Sequence, residues 1–81
     1  MARGIHDNRY RWMVDQLIQA RKEQGLSQDA VASRLGKPQQ YVSRYEVGER
    51  RLDMVEFLDA AKALGVDGLD VAAKGMTIPR D

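Results

Sequence analysis

Residues 25–51, GLSQDAVASRLGKPQQYVSRYEVGERR, are the stretch whose reading decides the fold. The spacing predicts a short helix over about 28–35 and another over about 39–46, joined by a tight turn at Gly36–Lys37–Pro38. Ser27 stands where its hydroxyl can accept a hydrogen bond from the amides left open at a helix start. Leu26 before it and Val31 at the fourth helical position match a hydrophobic staple. Gly36, after Leu35, stands where a left-handed residue closes a helix. Pro38 has no amide hydrogen to lose and suits the next helix start. Gly48 closes that second helix. Two helices joined by a three- or four-residue turn with glycine form a helix-turn-helix pattern.

The flanks repeat the same grammar. Tyr10, Met13, Val14, Leu17 and Ile18 fall at i, i+3, i+4, i+7 and i+8, the stripe of an amphipathic helix over roughly 8–24 that stops at Gly25. Asp53 is placed to cap a fourth helix, with Glu56 at the capping-box position and Gly65 as its stop. Asp67 is placed to cap a fifth, closed by Gly75. Almost nothing alternates with the period of a strand. The expected fold is all-α: a compact five-helix domain over residues 8–75, with 1–7 and 76–81 as flexible termini.

Composition sets bounds. The chain has 81 residues, room for one domain with one modest core. With 43% hydrophobic and 31% charged residues it is too apolar for a disordered chain. It has no cysteine and its single histidine is His6, which excludes disulfides, thiolate metal sites and multi-histidine sites. No apolar run approaches the roughly 20 residues of a membrane span, and the first residues lack the apolar core of a signal peptide. A cytoplasmic location and no membrane partner are expected. Ser27 and Ser43 have no histidine near them, and there is no acid–base–nucleophile set, metal-ligand cluster or glycine-rich phosphate loop. Neither catalysis nor a cofactor nor a bound metal is expected.

The net charge of +1 hides an asymmetry. Residues 1–51 carry ten Lys/Arg against six Asp/Glu, whereas residues 52–81 carry three against six. A basic first part suits a protein that turns one side to a polyanion, with chance scatter of surface charge as the alternative. The helix over 39–46 divides into two faces at about 100° per residue. Tyr41, Val42 and Tyr45 form the core side. Gln39, Gln40, Ser43, Arg44 and Val47 form the outer side, rich in groups that donate and accept hydrogen bonds. A carboxamide can pair with adenine N6 and N7, and a guanidinium with guanine O6 and N7. Any surface helix has a polar outer face, so the face alone leaves solvent as the alternative to DNA. Its surroundings favour DNA: Lys37 just before, Arg50 and Arg51 just after, and Gln28 near a helix N-terminus are all placed to reach phosphates. Arg3, Arg9 and Arg11 would add phosphate contacts or form a solvated face.

The residues Leu26-Ser27-Gln28, Val31-Ala32, Leu35-Gly36, Val42-Ser43-Arg44, Tyr45-Glu46 and Gly48, followed by Leu52-Asp53 and the run from Ala60 to Val66, resemble the Cro/repressor (XRE) helix-turn-helix family. The resemblance covers roughly residues 10–73 and implies a lambda-repressor-like domain. The pair Gln39-Gln40 is similar to the glutamines that contact bases in some lambdoid phage repressors. By the same resemblance, Gln28 would hydrogen-bond a phosphate and buttress Gln39, and Glu46 would be structural, paired with an arginine the sequence does not name. Pro38 and Val47 depart from the pattern, which has Ser or Thr and Asn there.

The implied function is a sequence-specific transcriptional regulator, a repressor or autoregulator that binds double-stranded DNA. Gln39, Gln40, Ser43 and Arg44 would contact bases; Gln28, Lys37, Arg50 and Arg51 would contact phosphates. Surplus apolar residues on the last two helices, among them Phe57, Leu58, Leu69 and Val71, would form the seam of a homodimer; the alternative is a small bundle wrapped round its fourth helix. With most of the chain used by one domain, regulation would depend on protein concentration, dimerisation or a protein partner. A protein-interaction module or antitoxin-like adaptor on the same fold is the alternative function.

Overall fold

Capping side chains fix where four of the five described helices begin. The computed structural model describes residues 6–79. Five helices follow one another, α1 (Asn8–Glu23), α2 (Gln28–Leu35), α3 (Gln39–Val47), α4 (Met54–Ala63) and α5 (Gly68–Gly75), with no strand among the described residues. Ser27 Oγ accepts from the Ala30 amide at 3.0 Å. Asp53 and Glu56 close a reciprocal capping box, Glu56 N to Asp53 Oδ1 at 2.7 Å and Asp53 N to Glu56 Oε1 at 2.9 Å. Asp67 accepts from the Leu69 and Asp70 amides. The three caps expected from the sequence are therefore present, each worth about 1 kcal/mol.

The ends are as regular. After α2, Gly36 takes the left-handed conformation at φ 66°, and the Lys37 amide reaches back to the Ala32 carbonyl at 2.9 Å. That six-residue closure satisfies carbonyls that the helix end leaves open. The same closure ends α1 (Leu26 N to Arg21 O), α3 (Glu49 N to Arg44 O) and α4 (Val66 N to Ala61 O).

Gly75 ends α5 as expected, though without a left-handed backbone: it is buried as the last residue of the helix, and Met76 follows in right-handed geometry. A Cβ at Gly75 would meet Met13 Cγ and Sδ at 3.0 Å, so α5 approaches α1 closely at this position. Asp7 is part of the folded domain, buried and capping α1 through the Arg9 and Tyr10 amides. At the other end, Thr77 and Ile78 bond back to Lys74 and Gly75, and Asn8 Nδ2 donates to the Pro79 carbonyl at 2.7 Å. Contacts with the bundle thus reach Asp7 at one end and Pro79 at the other.

The helices enclose one core. α2 packs on α3 and α4, while α1 packs on α3 and α5. Val14, Leu17, Val31 and Val42 are fully enclosed, and Tyr45 is 1% exposed. Full burial of a side chain such as Leu17 contributes about 1.5–3 kcal/mol. Ala32, Ala60 and Ala61 are also enclosed, and their small size lets α4 come close to α2. α5 buries Gly68, Val71 and Gly75. Val71, expected at a dimer seam, therefore points inward, 7% exposed, because it shares the buried i, i+3, i+7 face of α5.

Candidate nucleic-acid interface

α2 and α3 present one polar surface, held from beneath by a chain of hydrogen bonds that begins in α1. The Arg21 guanidinium grips Glu46 with Nε to Oε2 at 2.7 Å and Nη2 to Oε1 at 3.0 Å. Its third nitrogen, Nη1, donates to the Leu26 carbonyl at 2.9 Å. Glu46 is 8% exposed, and its charge raises the Arg21 pKa further above its ordinary value, mainly through the side-chain hydrogen bond. Glu46 Oε1 also accepts from Gln28 Nε2 at 3.0 Å, and Gln28 Oε1 accepts from Gln39 Nε2 at 2.9 Å. A buried ion pair thus orients Gln28, and Gln28 orients Gln39. The carbonyl and the second amide hydrogen of Gln39 remain for another partner.

The outer face of α3 is open. Gln39, Gln40 and Arg44 are exposed and Ser43 is half-exposed. Gln40 and Arg44 make no side-chain hydrogen bond or ion pair with the described residues. Pro38 supplies no side-chain cap, so α3 begins with free amide donors beside the glutamines.

The flanking cations divide. Lys37 and Arg51 are exposed, with Lys37 Nζ 5.5 Å from the centre of the Tyr41 ring. Arg50 is engaged within the protein. It pairs with Glu56, Nη2 to Oε2 at 2.7 Å and Nη1 to Oε1 at 3.1 Å, and lies over the Tyr41 ring at 4.7 Å. The hydrogen bond from Arg50, aided by the Asp53 amide, lowers the Glu56 pKa from an ordinary 4.5 to about 2. Arg50 links the loop after α3 to the start of α4 (a structural task), and offers less of itself to a phosphate than its position suggests. Of the other arginines, Arg9 pairs with Asp7, and Arg11 Nη2 donates to the Glu46 carbonyl at 2.9 Å, a cation on the negative end of α3. Arg3 lies outside the described residues.

The residues expected at a dimer seam fall in two groups. Leu69 is 74% exposed, Leu58 39%, and Phe57 is half-buried. With Met54, Met13 and Ala72 they line an apolar groove of about 200 Å³ where α4 and α5 meet α1. Val71 stands apart from them in the interior.

The sequence matches the helix-turn-helix family over residues 17–71, which spans α2, α3, α4 and most of the surrounding bundle. The chain belongs to the XRE-type helix-turn-helix family. An XRE-family-like protein from Pseudomonas syringae pv. tomato superposes with a TM-score of 0.79 at 42% identity, over 86% of this chain and 88% of that one. The restriction-modification controller protein C.AhdI from Aeromonas hydrophila gives a TM-score of 0.65 at 30% identity, over 73% of this chain and 86% of that one. An HTH-type transcriptional regulator of Sinorhizobium fredii, y4dJ, is 39% identical over 51 residues, 63% of this chain and 66% of its own length. The matched stretch is thus about two thirds of the length of that relative.

In this helix-turn-helix protein the residues that sequence reasoning missed lie mostly beneath the surface. Arg21 carries the signal in its spacing: it falls four residues after Leu17, on the continuation of the buried stripe, where a charge needs a partner. Tyr10 Oη, accepting from the Leu52 amide at 2.9 Å, ties the loop before α4 to α1 across 42 residues and leaves no local trace.

Proposed function

We propose that the protein is a sequence-specific DNA-binding transcriptional regulator that lays α3 in the major groove. The observation that carries this reading is the exposed row Gln39, Gln40 and Arg44, backed by the bond from Gln28 to Gln39 and flanked by Lys37 and Arg51. Glutamine pairs with adenine and arginine with guanine, each in a two-bond geometry worth about 1–3 kcal/mol of discrimination. Ser43 adds a further base contact. Lys37, Arg51, Gln28 and the open amides at the start of α3 take the phosphates that set register, with Arg50 a lesser contributor.

One such helix reads only a few base pairs. A homodimer reading two half-sites one helical turn apart multiplies that selectivity. The groove lined by Phe57, Leu58, Leu69 and Met54 is the seam such a dimer would use. A dimer covering its own promoter would act as a repressor or autoregulator.

The test is selection of bound sequences from a random duplex pool, followed by a salt titration on the winner. The expected result is a two-fold related site with half-site centres about 10 base pairs apart, bound more weakly as salt rises. Arg44→Ala should relax preference at one base pair and cost about 1–3 kcal/mol, and Lys37→Ala should weaken all duplexes alike and flatten the salt dependence. Lack of salt-sensitive duplex binding would refute the reading and favour a protein-interaction module on the same fold.

A further inference from the structure

Val47 sits at the centre of the outer face of α3. Taking Gln39 as 0° and 100° per residue, Ser43 falls near 40°, Val47 near 80°, Gln40 near 100° and Arg44 near 140°. Val47 is 65% exposed. A lone exposed valine is ordinary on a protein surface. This one differs in its neighbours: it is the single apolar side chain on an otherwise polar arc, bordered by Ser43 and Gln40. The other strongly exposed apolar residues, Met54, Val55, Leu58, Leu69 and Met76, belong to α4, α5 and the turn that follows. Val47 is also rigid. It is β-branched, and the Gly48 cap and the Arg11 bond to the adjacent Glu46 carbonyl hold the helix end.

The major groove carries one apolar feature, the C5 methyl of a pyrimidine. We propose that Val47 is a specificity-determining residue that packs against a pyrimidine C5 methyl, that of thymine in unmodified DNA. Val47 lies two turns, roughly 10 Å, along α3 from Gln40, so the methyl it meets belongs to a base pair further along the groove. The inference rests on the DNA-reading role of α3 proposed above. It adds an apolar criterion to a face otherwise limited to hydrogen bonds.

The probe is the duplex selected from the random pool, with each thymine in turn replaced by deoxyuridine, which removes only the methyl. Binding is read by fluorescence anisotropy for the wild type and for Val47→Ala, whose unchanged melting curve certifies folding. The expected result is one thymine per half-site whose replacement weakens wild-type binding about fourfold, and about fifteenfold when both half-sites are changed, while Val47→Ala is indifferent to it. If the sensitive base is a cytosine, 5-methylation should strengthen wild-type binding and leave Val47→Ala unmoved, which supports the same contact with the other methylated pyrimidine. Specific binding that tolerates deoxyuridine everywhere and gains nothing from 5-methylcytosine would overturn the proposal and leave the parent reading intact. So would a Val47→Ala protein that keeps the methyl sensitivity. No duplex binding at all would remove both.

Discussion

The buried pair Arg21–Glu46 is a point where a single substitution should cost a large part of the fold's stability. Both side chains lie largely out of solvent, 14% and 7% exposed, and Glu46 accepts three hydrogen bonds within 3.0 Å. Glu46→Leu leaves the guanidinium with the Leu26 carbonyl alone, an uncompensated charge in a confined space. Breaking a buried pair in this way costs about 3–5 kcal/mol, and the surviving Leu26 bond places the effect near the lower end, about 3 kcal/mol. For a domain of this size that lowers the melting temperature by roughly 12–24 °C. Arg21→Met should cost a similar amount, because Glu46 is then left with Gln28. The double variant removes both charges and fills the space with carbon, so its loss should be smaller than either single loss. The assay is urea unfolding followed by far-ultraviolet circular dichroism on all four proteins. A coupling energy of at least about 2 kcal/mol is expected. Losses below about 1 kcal/mol for each single variant, or losses that add within about 0.5 kcal/mol, would refute the claim that the pair acts as one anchor.

Two further outcomes follow from the loop between α3 and α4. Gly48 has φ 89°, and a Cβ there would meet Arg11 Nη1 at 3.3 Å. Gly48→Ala should therefore destabilise by roughly 1–2 kcal/mol from the left-handed backbone alone, a fall visible in a thermal melt; an unchanged melt would show that the loop can relax. Glu56 has its pKa depressed from 4.5 to about 2, so its bond to Arg50 and its capping of Asp53 contribute stability in full above about pH 4.5. That contribution drains away as pH falls through about 2. The urea midpoint of Glu56→Gln should accordingly vary less between pH 4.5 and 2 than that of the wild type, and equal slopes would contradict the assignment.

Most of the fold was legible because its determinants are local. Ser27, Asp53 and Asp67 cap through atoms within three residues, and Gly36 and Gly48 close helices through their own backbone. Such features write themselves into a short window of sequence. Gly75 shows where that logic stops: it reads as a helix stop and is one, but its close approach to Met13, from the far end of the chain, is written in no short window. Val71 fails for a related reason. An apolar residue on a short helix says that something covers it, and only the packing of α5 decides that the cover is its own core. At the candidate interface the division of α3 into a core face and a polar outer face followed from periodicity. The engagement of Arg50 with Glu56 did not, because charge alone cannot tell an arginine that faces solvent from one that clamps a helix start.

The two helices of the candidate interface, α2 and α3, are eight and nine residues long, shorter than the roughly 12–15 residues an isolated helix needs to persist in water. Their shape is therefore imposed by what they bury: Val31 and Ala32 on α2, Val42 and Tyr45 on α3. The polar face inherits that dependence. Gln39 is oriented through Gln28 by Glu46, which is itself fixed by Arg21 of α1, so the direction of an exposed amide is set by an ion pair in the interior. A freely rotating glutamine would lose side-chain entropy on meeting a base, whereas one already held by a neighbour has given up part of that freedom on folding. Ser27, by capping α2 at the residue before Gln28, and Arg11, by bonding the Glu46 carbonyl, brace the two ends of the same relay. The conclusion is that the proposed specificity of α3 and the stability of the bundle draw on one set of contacts, with the outward-facing Gln40, Arg44 and Val47 the positions where the surface can change while the frame stays.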